Sequence, residues 1–384
     1  PRRLNSIDIE MIDTMLSNLM AWEISDEAKI ILLKGAGRAF CAGGNVKDLI
    51  NKATDPNRHN ELDRQVYTHY DLLHFMATIK TPYIAIMDGV TMGSGCGLSG
   101  FAHFKIATEN TQYAMPENPI GLFCDAGASF FLSRLDGHLG AYLSATSRTI
   151  KGEDVFLEAL EARLCKLRQP THDIINREIQ QFSVKPDHAA VTYTLHGKNR
   201  EIIDACFKHE RMEDVLKALK EDGTKFSQDT IESILQSSPT SVKITHELIR
   251  RGASLSFKDC LDLEYGLWET VPFAHDFSEG VSARVINKTL PKWNPNKFED
   301  IDLDRDIRAG HFSIKKKLHF TNSQDFYEHP HKKYVLPTEK KILDMKSLHC
   351  LKGVQDTTAW FGSSKFGVKQ KVRDVFERNK ISYV

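Results

Sequence analysis

The sequence predicts an α/β fold that gives way to an all-helical region and then to a basic extension. Three observations carry this. Short apolar runs at 30–33, 83–87 and 104–107 alternate with helix-spaced apolar residues, as in a sheet covered by helices. After about Glu153 the strand signals fade and helical segments dominate. Beyond His311 the periodicity is lost, and Lys315-Lys-Lys317 and Lys332-Lys333 appear between prolines. The expected organisation is a strand-bearing core over residues 1–165, a helical part over 166–310 and an extension over 311–384.

The elements follow in order. Ile9, Ile12, Leu16 and Leu19 recur at helical spacing, with Ser6 as the expected cap and Asp8 and Glu10 suited to the positive end of the helix dipole. The run at 30–33, closed by Lys34 and Gly35, is expected as a strand buried on both faces. Phe40-Cys-Ala-Gly-Gly-Asn45 is expected as a small-residue loop. Leu62, Val66, Tyr70, Leu73 and Ala77 predict a helix that Thr81-Pro82 stops before the strand at 83–87. That strand leads through Asp88-Gly89 into a glycine-rich turn at 92–100, where the backbone can approach a neighbour closely. Further on, 212–219, 241–249 and 256–270 predict helices, and Leu290-Pro-Lys-Trp-Asn-Pro-Asn296 marks the exit from that region.

The chain has 384 residues, 41% hydrophobic and 27% charged, which excludes global disorder, collagen-like repeats and a disulfide-dense miniature scaffold. No apolar run approaches the ~20 residues of a membrane-spanning helix. Seven cysteines contain no Cys-x-x-Cys pair, arguing against a zinc ribbon and a secreted disulfide framework and for a reducing compartment. The first residue is Pro1, so a targeting peptide is unreadable. The 51 basic and 51 acidic side chains cancel only in sum: residues 311–384 hold fifteen Lys and Arg against seven Asp and Glu, leaving the extension at about +8 and the rest at about −8.

Gly95-x-Gly97-x-x-Gly100 has the form of a dinucleotide fingerprint, but too few residues separate it from the run at 104–107 for a crossover helix, and no acid ends a strand about 20 positions later. Close helix packing explains these glycines better. The loops Ala42-Gly43-Gly44 and Gly93-Ser94-Gly95 each follow a strand and open a helix, so both can aim free backbone N–H groups at one point, as an oxyanion hole does. Glu117 and Asp125 lie eight residues apart. As isolated acids they would be solvated, but Met115, Ile120, Leu122 and Phe123 around them favour partial desolvation, which suits a base or nucleophile. There is no Gly-x-Ser-x-Gly, no phosphate-binding Gly-x-x-x-x-Gly-Lys and no His-Glu-x-x-His. The sixteen histidines show no metal spacing; His329-Pro-His331 could bind a metal weakly but is expected as exposed tail, and no metal is expected.

With these residues in place the sequence resembles the enoyl-CoA hydratase/isomerase (crotonase) superfamily. The resemblance rests on Phe40-Cys-Ala-Gly-Gly-Asn45, on residues 88–99 and on residues 114–127, in that order. Ser237-Ser-Pro-Thr-Ser-Val-Lys-Ile244, Asp276-Phe-Ser-Glu-Gly280 and Pro291-Lys-Trp293 are similar to its 3-hydroxyisobutyryl-CoA hydrolase branch. It implies a spiral of β-β-α turns over roughly residues 1–300, followed by helices. It places the oxyanion donors on the N–H groups of Gly44 and Ser94, the attacking or water-activating carboxylate on Glu117, and the acid that assists the leaving thiol on Asp125. Ala42, Gly43 and His69 fall at substrate-contacting positions, although the hydrolases keep a Glu where His69 stands. Ser94 replaces a usual glycine and Cys124 a usual proline. Gly97 occupies the place of the hydratases' second catalytic Glu, so hydration is disfavoured. The implied activity is hydrolysis of a short 3-hydroxyacyl-CoA in valine breakdown, in the mitochondrial matrix, with no cofactor beyond the CoA of the substrate and no membrane.

The branch also includes constituents of the mitochondrial small ribosomal subunit. The extension suits that reading, since Lys315, Lys316, Lys317, Lys332, Lys333, Lys369, Lys371 and Arg373 are interleaved with aromatic rings, the mixture that attracts phosphate and stacks on bases. Ribosomal RNA or ribosomal proteins are the expected partners there.

Overall fold

The computed structural model describes residues 3–151, 167, 170–182, 195–313, 316–331, 336–349, 351, 353–362 and 368–381. The boundary expected at 165/166 and the lysines at 315, 332 and 333 lie outside them. Helix α1 (Ile9–Glu23) opens the chain. Its cap is Asp8, whose side chain accepts the Met11 N–H at 3.1 Å, and not Ser6, whose hydroxyl donates to Arg3 O.

A spiral then begins, each turn made of two strands and helix. β1 (Ile31–Lys34) and β2 (Ala39–Cys41) precede α2 (Val46–Thr54) and α3 (His59–Thr78). β3 (Tyr83–Met87) and β4 (Val90–Met92) precede α4 (Ser94–Gly100); β5 (Phe104–Ala107) and β6 (Gln112–Ala114) precede α5 (Ala128–Phe131) and α6 (Leu139–Thr146). The first strands of the turns form one parallel sheet, β1-β3-β5, and the second strands another, β2-β4-β6. β7 (Ile150–Lys151) pairs antiparallel with β6. Residues 39–41, expected as loop, are thus a strand. β3 lies between two neighbours and all five of its residues are buried, whereas β1, at the edge, buries only Ile31 fully, short of the two-face burial expected.

The glycines of α4 serve packing. A Cβ on Gly95 would lie 2.4 Å from Cys41 O, and one on Gly97 would lie 2.6 Å from Ala126 O, both too close for any side chain. Helix α4 therefore rests directly on β2 and on the 125–127 loop.

The helical part contains α7 (His172–Phe182), α8 (Gly197–Cys206), α9 (Met212–Asp222), α10 (Lys225–Leu235), α11 (Pro239–Gly252), α12 (Phe257–Leu267) and α13 (His275–Gly280). α11 and α12 pack against α5, carrying Leu248, Phe257 and Leu261 into the main core with Phe101, Phe123 and Phe130.

The extension is more ordered than its sequence suggests. Its first part is a strap along α3 and α12. The Tyr67 hydroxyl donates to His319 O at 2.6 Å, the Phe257 N–H to Phe326 O at 2.8 Å and Arg134 Nε to Tyr327 O at 2.8 Å. Asp71 accepts from the Thr321 N–H and Asp262 from the Leu318 N–H, both at 2.8 Å. Phe312 and Leu318 are buried in the main core, with Phe320 and Phe326 packed on it. Its second part forms α14 (Glu339–Leu348), α15 (Val354–Phe361) and α16 (Val368–Arg378) around Ile342, Val368, Val372, Val375 and Phe376. In α16 Val368, Val372, Val375 and Phe376 recur at helical spacing, a signal that the sequence reading missed.

Candidate active site

The two small-residue loops meet. A Cβ on Gly43 would lie 3.3 Å from Met92 O, and one on Gly44 would lie 3.8 Å from Ser94 Oγ. Gly44 stands three residues beyond the end of β2 and is fixed by bonds on either side, Ile7 N–H to Gly43 O at 2.9 Å and Asn45 N–H to Ile7 O at 3.0 Å. Ser94 is the first residue of α4, where the N–H has no intrahelical acceptor. Among the described residues neither the Gly44 nor the Ser94 N–H has an acceptor, so both are available to a ligand oxygen.

Gly93 joins these donors to Glu117. Its φ of +52° lies in the region glycine favours, and a Cβ there would stand 2.6 Å from Glu117 Oε1. Glu117 is buried, and its Oε2 has no hydrogen-bond partner among the described residues. Burial first, and the neighbouring Asp125 charge second, hold its carboxyl well above the usual carboxylate range. Asp125 is also buried; burial and the charge of Glu264 push it up to about 8. The pair therefore retains a proton at neutral pH.

The loop that carries both acids is braced from behind. Cys124 donates its N–H to Thr245 Oγ1 at 3.1 Å, and Thr245 donates to Asn118 Oδ1 at 2.8 Å. A proline at 124 would lack that donor. Ala126 sits at φ +58° and Gly127 at +83°; the first is costly for a residue with a Cβ. Glu264 on α12 holds this strained turn, accepting from the Gly127 N–H at 2.8 Å, the Ser129 N–H at 2.9 Å and the Ser129 hydroxyl at 2.5 Å. The Tyr70 hydroxyl accepts from Trp268 Nε1 at 3.2 Å. Burial pushes Glu264 up to about 7, against the lowering effect of these donors. The sequence reading missed Glu264. Its signal is an acid in register with Phe257, Cys260 and Leu261, on the buried face of a helix.

His69 lies on α3 one turn before Leu73, whose side chain meets the Gly97 position. It is buried, Nε2 has no partner among the described residues, and burial lowers its pKa to about 4. It does not line the adjoining cleft, and nor do Gly43, Ser94, Glu117 or Asp125; of the expected site residues, Ala42 and Gly44 do. That cleft, about 900 Å³, is bordered at its inner end by Ala42, Gly44 and Pro116 and elsewhere by Arg3, Lys47 and Arg284. The nearby thiols are poor nucleophiles: burial raises Cys41 to about 11 and Cys96 and Cys124 well upward.

The remaining expected residues lie on the extension. Lys316 Nζ reaches Asp63 at 2.6 Å and Glu269 at 2.5 Å, Lys317 reaches Asp262 at 2.7 Å, and Lys371 pairs with Asp136. These charges are engaged by the protein's own acidic body, contrary to their expected place in a free RNA-facing surface. Lys369 and Arg373 are exposed. His329 and His331, expected as exposed tail, are half-buried against the body.

The profile of the family described as "Enoyl-CoA hydratase/isomerase" matches residues 1–309. The chain belongs to this family. An enoyl-CoA hydratase/isomerase fold accounts for the β-β-α spiral and for the convergence of its second strands on one cleft. The small ribosomal subunit protein mS47 of Neurospora crassa is 33% identical over 98% of this chain and 82% of its own length. The mitochondrial 3-hydroxyisobutyryl-CoA hydrolase of Xenopus laevis is 35% identical over 79% of this chain and 82% of its own. Among solved structures, a carnitinyl-CoA dehydratase from Mycobacterium thermoresistibile superposes with a TM-score of 0.75 at 28% identity, covering 84% of this chain and 94% of its own.

Proposed function

We propose that the protein is a mitochondrial acyl-CoA thioester hydrolase of the 3-hydroxyisobutyryl-CoA type. The observation that carries this is the meeting of two unsatisfied backbone donors with the buried Glu117 carboxyl, beside an open cleft that reaches Gly44. The N–H groups of Gly44 and Ser94 bind the thioester oxygen and stabilise the charge that develops on it. Glu117, the member of the pair that ionises when Asp125 keeps the proton, attacks the carbonyl or activates water toward it. Asp125 delivers its proton to the departing CoA thiolate. The cations of Arg3, Lys47 and Arg284 along the cleft suit the phosphates of CoA, and Arg284 Nε is buried without a partner among the described residues. Addition of water across a double bond is disfavoured because position 97 has no room for a second acid. The test is thiol release from 3-hydroxyisobutyryl-CoA by the full chain.

A second role is favoured by a separate observation. The match to the Neurospora small-subunit protein runs over 98% of the chain, extension included, whereas that to the Xenopus hydrolase covers 79%. We infer that the protein also associates with the mitochondrial small ribosomal subunit, through cations its own body does not engage. Co-sedimentation with that subunit is expected to weaken at raised salt and in the double variant Lys369→Glu, Arg373→Glu, with hydrolysis unchanged. Undiminished co-sedimentation of the double variant would remove these residues from the contact.

A further inference from the structure

Three histidines remote in sequence meet on the side of the molecule where the extension crosses the body. His103 precedes β5, His172 opens α7 and His331 belongs to the extension. One ring nitrogen of each lies within 4.8 Å of those of the other two. The rings of His103 and His331 are 3.7 Å apart between centroids, and those of His172 and His331 are stacked at 4.7 Å. None of these residues lines the cleft described above.

Hydrogen bonding leaves His103 incompletely accounted for. His103 is 3% exposed and its Nε2 has no partner among the described residues. Its Nδ1 receives the Tyr83 N–H at 3.2 Å and also stands 2.9 Å from His172 Nε2. A buried imidazole with one crowded and one orphaned nitrogen is an arrangement that native proteins avoid unless something is bound there. His329 is not a fourth member: its Nε2 donates to Phe101 O at 3.3 Å and its Nδ1 accepts the His331 N–H at 3.2 Å. It orients His331 instead.

We propose that His103, His172 and His331 bind one zinc ion, which clamps the extension to the body. Three imidazole nitrogens without a carboxylate or thiolate suit zinc and its neighbours in the first transition row rather than magnesium or calcium. Tetrahedral zinc with bonds of about 2.0–2.1 Å holds its nitrogen ligands roughly 3.3 Å apart. The ring nitrogens lie within 4.8 Å of one another, so for the site to close the rings must turn toward one point, His103 releasing its contact with the Tyr83 N–H. Water or a solvent anion takes the fourth position.

The full chain, stripped with chelator, is expected to bind one equivalent of Zn2+ by calorimetry. Co2+ in its place should give the intense visible absorption of a four-coordinate site. His331→Ala and His172→Ala should each weaken Zn2+ binding at least about tenfold, while His319→Ala, an exposed extension histidine outside the cluster, should not. His331→Cys keeps a zinc ligand and should bind more tightly than His331→Ala, which separates ligation from a packing defect. Zn2+ should raise the melting temperature of the wild type and not that of His331→Ala. Absence of one-to-one binding, or a His331→Ala chain that binds Zn2+ as the wild type does, would overturn the proposal.

Discussion

Replacing Glu117 by Gln is expected to slow hydrolysis of 3-hydroxyisobutyryl-CoA roughly 10²–10⁴-fold, with the fold and CoA binding retained. The amide is nearly the same size as the carboxyl and cannot ionise, so it can neither attack the thioester nor take a proton from water. The fold should tolerate the change because Glu117 Oε2 has no partner to lose among the described residues. The change also removes the repulsion between two neighbouring buried carboxyls. Gly44 and Ser94, which hold the thioester oxygen in the proposed complex, stand on other loops, so KM should move little while kcat falls. Steady-state kinetics with product-inhibition constants for CoA separate the two. A variant that turns over at the wild-type rate would remove Glu117 from its role.

Deleting residues 311–384 is expected to lower the melting temperature by more than about 10 °C or to abolish cooperative folding. The strap places Phe312, Leu318, Phe320 and Phe326 on the main core. Each such side chain is worth about 1.5–3 kcal/mol when fully buried, and their sum rivals the ~5–15 kcal/mol by which whole domains are stable. Deletion also bares the stacking surface of His74, whose ring lies 4.1 Å from Phe320, and leaves Asp71 and Asp262 without the strap's N–H donors. Thermal unfolding followed by circular dichroism decides the matter. A 1–310 chain that melts within two or so degrees of the full chain would show the strap to be passive. One consequence concerns the ribosome: loss of association on truncation would report unfolding as readily as lost contacts, so exposed-charge variants are the sounder probe.

The parts of this protein that the sequence makes legible are those whose signal is longer than their noise. Helix α3 shows because five apolar residues repeat over its length, and β3 because it is apolar on both faces. Strands β2, β4 and β6 are three residues each, shorter than any period that could reveal them, and only the parallel pairing across turns makes them strands. Glu117 and Asp125 stand out through the apolar residues beside them. Glu264 does not, because its partners at Gly127 and Ser129 are more than a hundred positions away. The net charge of zero conceals a basic arm, as the sequence shows, but structure alone reveals that Lys316, Lys317 and Lys371 turn inward to the body's own acids. The histidines of the extension are similar: nothing near His331 announces His103 or His172.

The central claim is that two buried carboxyl groups, one ionised and one protonated, perform the hydrolysis. The most direct measurement is the rate of thiol release from 3-hydroxyisobutyryl-CoA by the full chain between pH 5 and 10. Activity needs Glu117 ionised and Asp125 protonated. The account predicts a bell whose two limbs both lie above the usual carboxylate range, since burial and the Asp125 charge raise Glu117 and burial and the Glu264 charge raise Asp125. In Asp125→Asn the alkaline limb should vanish along with most of the rate. Thiol release no faster than the uncatalysed background at every pH, or an alkaline limb that persists in Asp125→Asn, would contradict it.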